Sequence, residues 1–175
     1  MLTDIPSTAI DIYRALPEGT RCEVIFNELS MSPSPGSEHQ LILMEISGQL
    51  YSLLKQTKSG KVIPAPMDVY LNDTLSVVQP DILVILSKNL DFIKPDGVYG
   101  APDLIIEILS SGNRLHDTQK KKALYEKVGV KEYFIVDPEN KEVELFTINP
   151  SGVYVSSYQQ KSTIKSTLLN CELHF

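Results

Sequence analysis

Three charged residues, Asp81, Glu107 and Lys121, lie in or beside segments whose apolar neighbours predict burial. Glu107 interrupts the run 104–109, which is rich in β-branched residues and bounded by turn-forming residues, as is typical of a strand buried on both faces. An ionised carboxylate is costly there unless a cation stands beside it. Paired carboxylates on adjacent strands suit Mg²⁺, and a nearby lysine can orient water and counter negative charge. These residue types predict metal-assisted hydrolysis, such as that of a phosphodiester.

Each of these residues also has a purely structural explanation. Asp81 follows Pro80 at the start of a predicted strand, where it could simply end a turn. Glu107 and Lys121 could form a buried ion pair. Asp117 and Lys121, four residues apart on a predicted helix, could form an ordinary surface salt bridge. The combination of the three groups, rather than any one of them, favours a chemical site.

Further polar residues are weaker candidates for the same site. Asp68 falls opposite the segment before Asp81 in a predicted strand pair, so it could join the metal ligands if the register allows. Asp103 shares a strand side with Glu107 but lies about 13 Å along it, which favours a turn or a bond to backbone. His39 falls on the apolar stripe of a predicted helix, where a satisfied, half-buried histidine is favoured over a site residue. The remaining weak candidates are Glu23, Glu38, Asp117 and Asp137.

The elements that must position these residues follow from the spacing of apolar residues. Helical spacing predicts a helix over about 38–55. The predicted strands are a hairpin around Asn27-Glu28, the pair 62–71 and 75–86 with a turn at Asn72-Asp73, the central strand at Glu107, the strand 131–136, and the pair 142–148 and 153–157. The polar segment 87–99 is too long for a tight turn and is expected to wander over the surface. The tail after Lys161 is weakly patterned.

The helix after the central strand singles out one of three consecutive lysines. At about 100° per residue, Lys121 falls at about 40° from Asp117, inside an apolar stripe from about −20° to 80°. Lys120 and Lys122 point away from that stripe, and Gly129 is expected to cap the helix. The order of elements predicts an α/β (α+β) fold, a mixed β-sheet flanked by helices.

Length, charge and cysteine content narrow the function classes. At 175 residues the chain is predicted to form one domain, 1–175, with a core over about 20–148. No apolar run approaches the ~20 residues of a membrane span, and the N-terminal residues lack a signal-peptide pattern. Cys22 and Cys171 lie far apart, which predicts reduced thiols in a cytoplasmic protein. A net charge of −6 gives no overall attraction to nucleic acid.

Taken in order, these segments resemble the PD-(D/E)XK nuclease superfamily and, more closely, the restriction-endonuclease-like family called Uma. The matching stretches are Met31-Ser32-Pro33 with His39, Gln79-Pro80-Asp81, the segment 100–110, the helix residues Asp117, Lys121 and Tyr125, and the segment 129–138. The resemblance spans roughly 20–148, and the combined order is more specific than any one piece. The chain departs from the superfamily motif at Leu109, where a lysine is usual. The Uma family shares this relocation of the lysine to the helix, to Lys121.

The resemblance implies a restriction-endonuclease-like fold and a role for each site residue. It makes Asp81 and Glu107 metal ligands for Mg²⁺ or Mn²⁺, the backbone carbonyl of Ile108 a third ligand, and Lys121 the catalytic lysine. It also implies a nucleic-acid substrate, taken as DNA although nothing in the sequence distinguishes DNA from RNA, and a homodimer that cuts both strands of a duplex.

Two other functions remain open at this stage. One is a catalytically silent domain of the same fold that serves as a binding or assembly module, which the negative net charge favours. The other is a metal-dependent hydrolase of a small phosphate ester. Retention of all three site groups favours the nuclease, because a silent domain has no chemical need for them.

Overall fold

A computed structural model describes residues 7–17, 19–31, 33–71, 74–110 and 114–175, with only the backbone described for 114–117. The helices in this part of the chain are α1 (Ala9–Ala15), α2 (Ser37–Thr57) and α3 (Arg114–Val128). The strands are β1 (Cys22–Ile25), β2 (Glu28–Met31), β3 (Gly60–Pro64), β4 (Val69–Leu71), β5 (Ser76–Val78), β6 (Ile82–Leu86), β7 (Ile93–Lys94), β8 (Gly97–Tyr99), β9 (Leu104–Ile108), β10 (Glu132–Val136), β11 (Glu142–Ile148), β12 (Tyr154–Lys161), β13 (Thr163–Ser166) and β14 (Cys171–His174).

The central sheet has the strand order β12-β11-β10-β9-β6-β3 and carries apolar clusters on both faces. Its middle strand, β9, runs parallel to β10 and antiparallel to β6, so the sheet is mixed. Every residue of β9 is buried. Leu104 and Ile106 belong to the cluster under α2, whereas Ile105 belongs to the cluster that contains Leu124 and Tyr125 of α3. The predicted two-sided burial and the predicted fold class are therefore confirmed.

An outer sheet, of order β2-β1-β5-β4-β8-β7, arises because the strands predicted at 62–71 and 75–86 are both interrupted. β3 and β6 pair in the central sheet, whereas β4 and β5 pair in the outer sheet. Pro66 and Pro80 lie at the interruptions, where a residue without an N–H cannot continue a backbone ladder. The antiparallel pair therefore passes through two sheets instead of one. The turn predicted at Asn72-Asp73 lies outside the described residues.

The segment 87–99 is not the irregular connection that its polar character predicts. A 3₁₀ helix (Ser87–Phe92) leads into β7, and β8 adds to the outer sheet in parallel with β4. Elements of two or three residues leave no periodic pattern that a sequence reading could detect. β7 and β8 extend the outer sheet at the edge away from β1.

The C-terminal residues form a hairpin, β13–β14, which the weak pattern of the tail does not predict. Ile164 and Leu173 from this hairpin are buried in the cluster under α2. The Glu132 side chain of β10 connects the hairpin to the central sheet. Its buried carboxylate accepts hydrogen bonds at 2.5–2.9 Å from Ser166 Oγ, Thr167 N, Thr167 Oγ1 and Leu168 N.

Glu132→Ala should destabilise the fold by about 3 kcal/mol, because it leaves several buried donors without their charged acceptor. Urea unfolding followed by circular dichroism measures the change. Glu142→Ala is the matched control, since Glu142 is exposed and should change stability by about 0.5 kcal/mol or less. Equal losses in the two variants would show that the Glu132 bonds do not hold the hairpin.

Candidate functional site

Asp81 and Glu107 lie opposite each other on neighbouring strands. The antiparallel register of β6 and β9 pairs Ile82 with Ile106, and its continuation sets Asp81 against Glu107. The Ile108 N–H donates to Asp81 Oδ2 at 2.8 Å, which fixes the Asp81 carboxylate to the strand that carries Glu107. Both carboxylates line a cavity of about 340 Å³, the site cavity.

Lys121 faces inward, as the helical spacing predicts, and it meets Glu107. Its Nζ lies 3.1 Å from Glu107 Oε1, and its side chain is only 12% exposed. Tyr125, one helical turn further along α3, donates its hydroxyl to the same oxygen at 2.7 Å. Glu107 is 7% exposed, so this carboxylate is nearly removed from solvent and is held by two donors from one helix.

Glu23 joins the same group from the outer sheet. Its Oε1 lies 3.0 Å from Lys121 Nζ and accepts the backbone N–H of Gln79 at 2.8 Å. Glu23 alternates with Cys22 and Val24, and this alternation places it on the solvent side of a half-buried strand. The structure buries all of β1, because α3 packs against it. The weak candidate Glu23 is therefore a neighbour of the predicted catalytic lysine.

His39 reaches the site from the first turn of α2. Its Nε2 lies 3.2 Å from Asp81 Oδ2, and it lines the site cavity. The side chain is buried, and Nδ1 has no hydrogen-bond partner within the described part of the chain. His39 is thus a neighbour of Asp81, which differs from the satisfied core histidine expected from the sequence.

The other candidates lie apart from these contacts. Asp68 accepts hydrogen bonds from Gln79 Nε2 at 2.8 Å and Tyr70 OH at 3.3 Å, so Gln79 stands between it and Glu23. Asp103 accepts the Leu86 N–H at 2.9 Å and contacts Asn89 and Lys131, a backbone and turn role as expected. Asp137 accepts the Glu139 N–H in a turn, and Glu38 pairs with Lys141. The Asp117 side chain lies outside the described residues.

The electrostatics of the site show an excess of negative charge. Burial, together with the Asp81 and Glu23 carboxylates, raises the pKa of Glu107 to about 7 against the opposing effects of Lys121 and Tyr125. Burial alone would lower the pKa of Lys121, but Glu107, Glu23 and Asp81 together raise it well above its usual value. Lys121 is therefore an ammonium at any working pH, shared among several carboxylates.

The donor set fits a hard divalent cation. Among the residues described, no three His, Cys, Asp or Glu side chains are arranged to hold a metal ion. Mg²⁺ does not require three, because it keeps several waters and takes one or two protein carboxylates. The N–H and C=O of a strand residue point to the same side, so the Ile108 carbonyl also faces Asp81. A cation here would relieve the repulsion that raises the pKa of Glu107.

Comparison with known proteins identifies the family. Residues 10–174 match the Uma2 family, described as "Putative restriction endonuclease". This chain belongs to the Uma2 family. The match is wider than the stretch 20–148 on which the resemblance rests, and it includes α1 and the C-terminal hairpin.

A solved structure shows the same fold as this Uma2 chain. It is described as "a putative nuclease belonging to DUF820" from Anabaena variabilis ATCC 29413. The two chains are 21% identical, with a TM-score of 0.77 over 97% of this chain and 94% of that one. No curated protein matches the chain. None of the helices in the described residues has the length and apolar character needed to cross a membrane.

The pKa of Glu107 gives this Uma2 protein a testable pH dependence. The folded-state value of about 7 lies above that of an unfolded glutamate, so the folded state binds this proton more tightly. Glu107 therefore stabilises the fold most at low pH, and this contribution is lost as pH rises through about 7.

Glu107→Gln should remove that dependence. Without metal, the stability of the wild type relative to the variant should fall by about 3 kcal/mol between about pH 4.5 and pH 7.5. Urea unfolding in EDTA at a series of pH values measures it. Burial opposes the rise in the pKa of His39, which Asp81 and the Glu107 charge cause, so the difference reports Glu107 together with its effect on His39. Parallel pH profiles would contradict the raised pKa.

Proposed function

We propose that this protein is a metal-dependent endonuclease that hydrolyses DNA phosphodiester bonds. The observation that carries the proposal is the position of Glu107, buried opposite Asp81 and bonded to the Lys121 ammonium in a cavity open to a ligand. Two carboxylates on neighbouring strands beside a fixed cation form an arrangement that suits metal-assisted phosphodiester hydrolysis. The family description supports the same reaction class.

The residues of the chain have separate tasks in this proposal. Asp81, Glu107 and the Ile108 carbonyl would hold Mg²⁺ or Mn²⁺, and the bound ion would polarise the phosphate and lower the pKa of a water. Lys121 presents its ammonium to the negative charge that grows on the phosphate oxygens. His39 Nε2 and the Ile108 N–H both contact Oδ2 of Asp81 and so hold this carboxylate in place. Arg21, an exposed residue of the cavity lining, adds a cation where a phosphate group would enter.

Two other functions each rest on one observation. The net charge of −6 favours a silent binding or assembly module, because phosphate contacts by cations dominate nucleic-acid affinity. The cavity of about 340 Å³ favours a small phosphate ester, because it lies at the lower end of the range for small-molecule sites. Metal binding and cleavage assays separate these functions from the nuclease.

Mg²⁺ or Mn²⁺ should raise the melting temperature of the wild type, since an ion that binds only the folded state stabilises it by linkage. Glu107→Ala should abolish this shift. Glu142→Ala, on the surface of β11, serves as the control and should keep it. A shift of equal size in the Glu107 variant would place the metal elsewhere and remove the basis of the proposal.

Cleavage is tested with plasmid, linear duplex and single-stranded DNA, RNA, and a small phosphodiester such as bis-p-nitrophenyl phosphate. The wild type should cut DNA only with the metal, and Lys121→Ala should lower the rate by at least about 100-fold. Lys120→Ala is the matched control, because Lys120 is the preceding residue and pairs at the surface with Glu28. Metal binding without DNA cleavage would favour the silent module. Cleavage of the small ester alone would favour the third function.

We also propose that the protein is a homodimer joined through the outer face of α2. This face exposes three large apolar residues, with Leu41 at 66%, Met44 at 69% and Tyr51 at 55% exposure. Gly48 lies between them, and the space beside its Cα is open. A glycine at this position allows the backbone of a second helix to approach closely.

The charges of α2 suit an antiparallel copy of the same helix. Glu38 and Glu45 lie in its first half, whereas Lys55 and Lys58 lie in its last turn and just beyond it. A two-fold axis at Gly48 would bring each acidic half beside the basic half of the other copy and would oppose the two helix dipoles. A second copy of this chain is therefore the partner that the face fits.

Gly48→Cys should form a disulfide-linked dimer under mild oxidation, in a Cys171→Ser background that removes the partly exposed native thiol. Gln56→Cys is the control on the same helix, because the two copies of residue 56 would lie roughly 24 Å apart along the axis. Non-reducing gels and sedimentation velocity measure the products. A monomeric wild type, or equal crosslinking at both positions, would contradict this interface.

We further propose that the protein works in the cytoplasm. Cys22 and Cys171 are both free thiols, and Cys22 is buried in β1. Free thiols are typical of a reducing compartment.

A further inference from the structure

A tyrosine hydroxyl at the site cavity is left, like Nδ1 of His39, without a partner among the described residues. Tyr133, on β10, is 0% exposed, and its hydroxyl makes no hydrogen bond to any residue that the structure describes. Its two tyrosine neighbours are satisfied. The Tyr125 hydroxyl donates to Glu107 at 2.7 Å, and the Tyr154 hydroxyl donates to the Val130 carbonyl at 2.8 Å.

An unpaired buried hydroxyl is unfavourable to the fold. Buried polar groups in native proteins are nearly always paired, because a donor without an acceptor destabilises the fold. Phenylalanine would fill the same apolar space without this penalty. The hydroxyl of Tyr133 therefore indicates an acceptor from outside the chain.

The surroundings of Tyr133 direct its polar end to the site. The parallel register pairs Tyr133 with Ile105 and Ile135 with Glu107, so Tyr133 and Glu107 lie on the same face of the central sheet. Aromatic rings pack around the Tyr133 ring at centroid distances of 5.0–6.2 Å: Tyr125, Phe146 and Tyr154. These contacts fix the ring, and Tyr133 lines the site cavity together with Lys121.

The hydroxyl can act only as a neutral donor at this position. Burial and the nearby Glu107 carboxylate raise the pKa of Tyr133 well above its usual value, so the proton stays on the oxygen. Glu107 Oε1 already accepts from Lys121 and Tyr125. The Tyr133 hydroxyl bonds to neither oxygen of Glu107, and it lines the site cavity, so a substrate oxygen is an acceptor that it can meet there.

We infer that the Tyr133 hydroxyl binds the substrate, donating a hydrogen bond to a non-bridging oxygen of a phosphodiester held beside Lys121. This inference rests on the proposed function and names a further residue of the same site. Lys121 supplies charge to the phosphate, whereas Tyr133 supplies a directed bond without adding a cation to a group already crowded with ion pairs.

The test compares Tyr133→Phe with Tyr125→Phe in the full-length protein. The probe is a fluorescein-labelled pentathymidylate with an unmodified phosphodiester backbone, bound in the presence of Ca²⁺ and followed by fluorescence anisotropy. Tyr133→Phe should have a melting temperature equal to or above that of the wild type, because it removes an unpaired polar group. Its affinity for the probe should fall about 10-fold. Tyr125→Phe should melt below the wild type, because its hydroxyl is bonded to Glu107.

Any other outcome contradicts either the inference about Tyr133 or the proposal that the protein is a nuclease. Unchanged probe affinity in Tyr133→Phe would overturn the inference, and a clear fall in its melting temperature would show that the hydroxyl has a partner within the fold. Failure of the wild type to bind the probe would overturn it as well. A wild type that binds but never cleaves would end the nuclease proposal, while a weaker Tyr133→Phe complex would still support phosphate recognition by Tyr133.

Discussion

The burial of one carboxylate in the middle of a sheet is the constraint on which the rest of the structure depends. Glu107 belongs to a strand with apolar neighbours on both faces, where an uncompensated charge would cost several kcal/mol. Lys121 and Tyr125 compensate it, so α3 must lie across β9 with one side turned toward that oxygen. Compensation is incomplete, because Asp81 and Glu23 add negative charge around the same lysine. The site therefore retains an excess of negative charge that the residues around it do not neutralise.

The two sheets and α2 each supply part of this group. The central sheet carries Asp81 and Glu107, the outer sheet carries Glu23, and α2 carries His39. Gln79, two residues before Asp81 in the chain, connects these elements. Its backbone N–H donates to Glu23, and its side chain donates to Asp68. Because the long strand pair is interrupted at the prolines, its residues belong to both sheets. The cavity therefore has walls from both sheets.

Sequence patterns predict the centre of this site better than its edges. Lys121 could be assigned because a helix repeats every 3.6 residues, and Glu107 because a lone carboxylate in an apolar strand is conspicuous. Glu23 could not be assigned with the same force, because the alternation of β1 places it on the solvent side. Only the packing of α3 on the outer sheet buries it. Tyr133 gives no signal at all, since an unpaired hydroxyl and a paired one look alike in a strand.

The two contacts from α3 to Glu107 also determine the rotation of that helix about its axis. Lys121 and Tyr125 lie one turn apart and reach the same carboxylate oxygen, so the helix is held at two points along its length. Inserting one residue between Lys121 and Tyr125 would turn one of these groups by about 100° relative to the other, so the two could no longer reach the same oxygen.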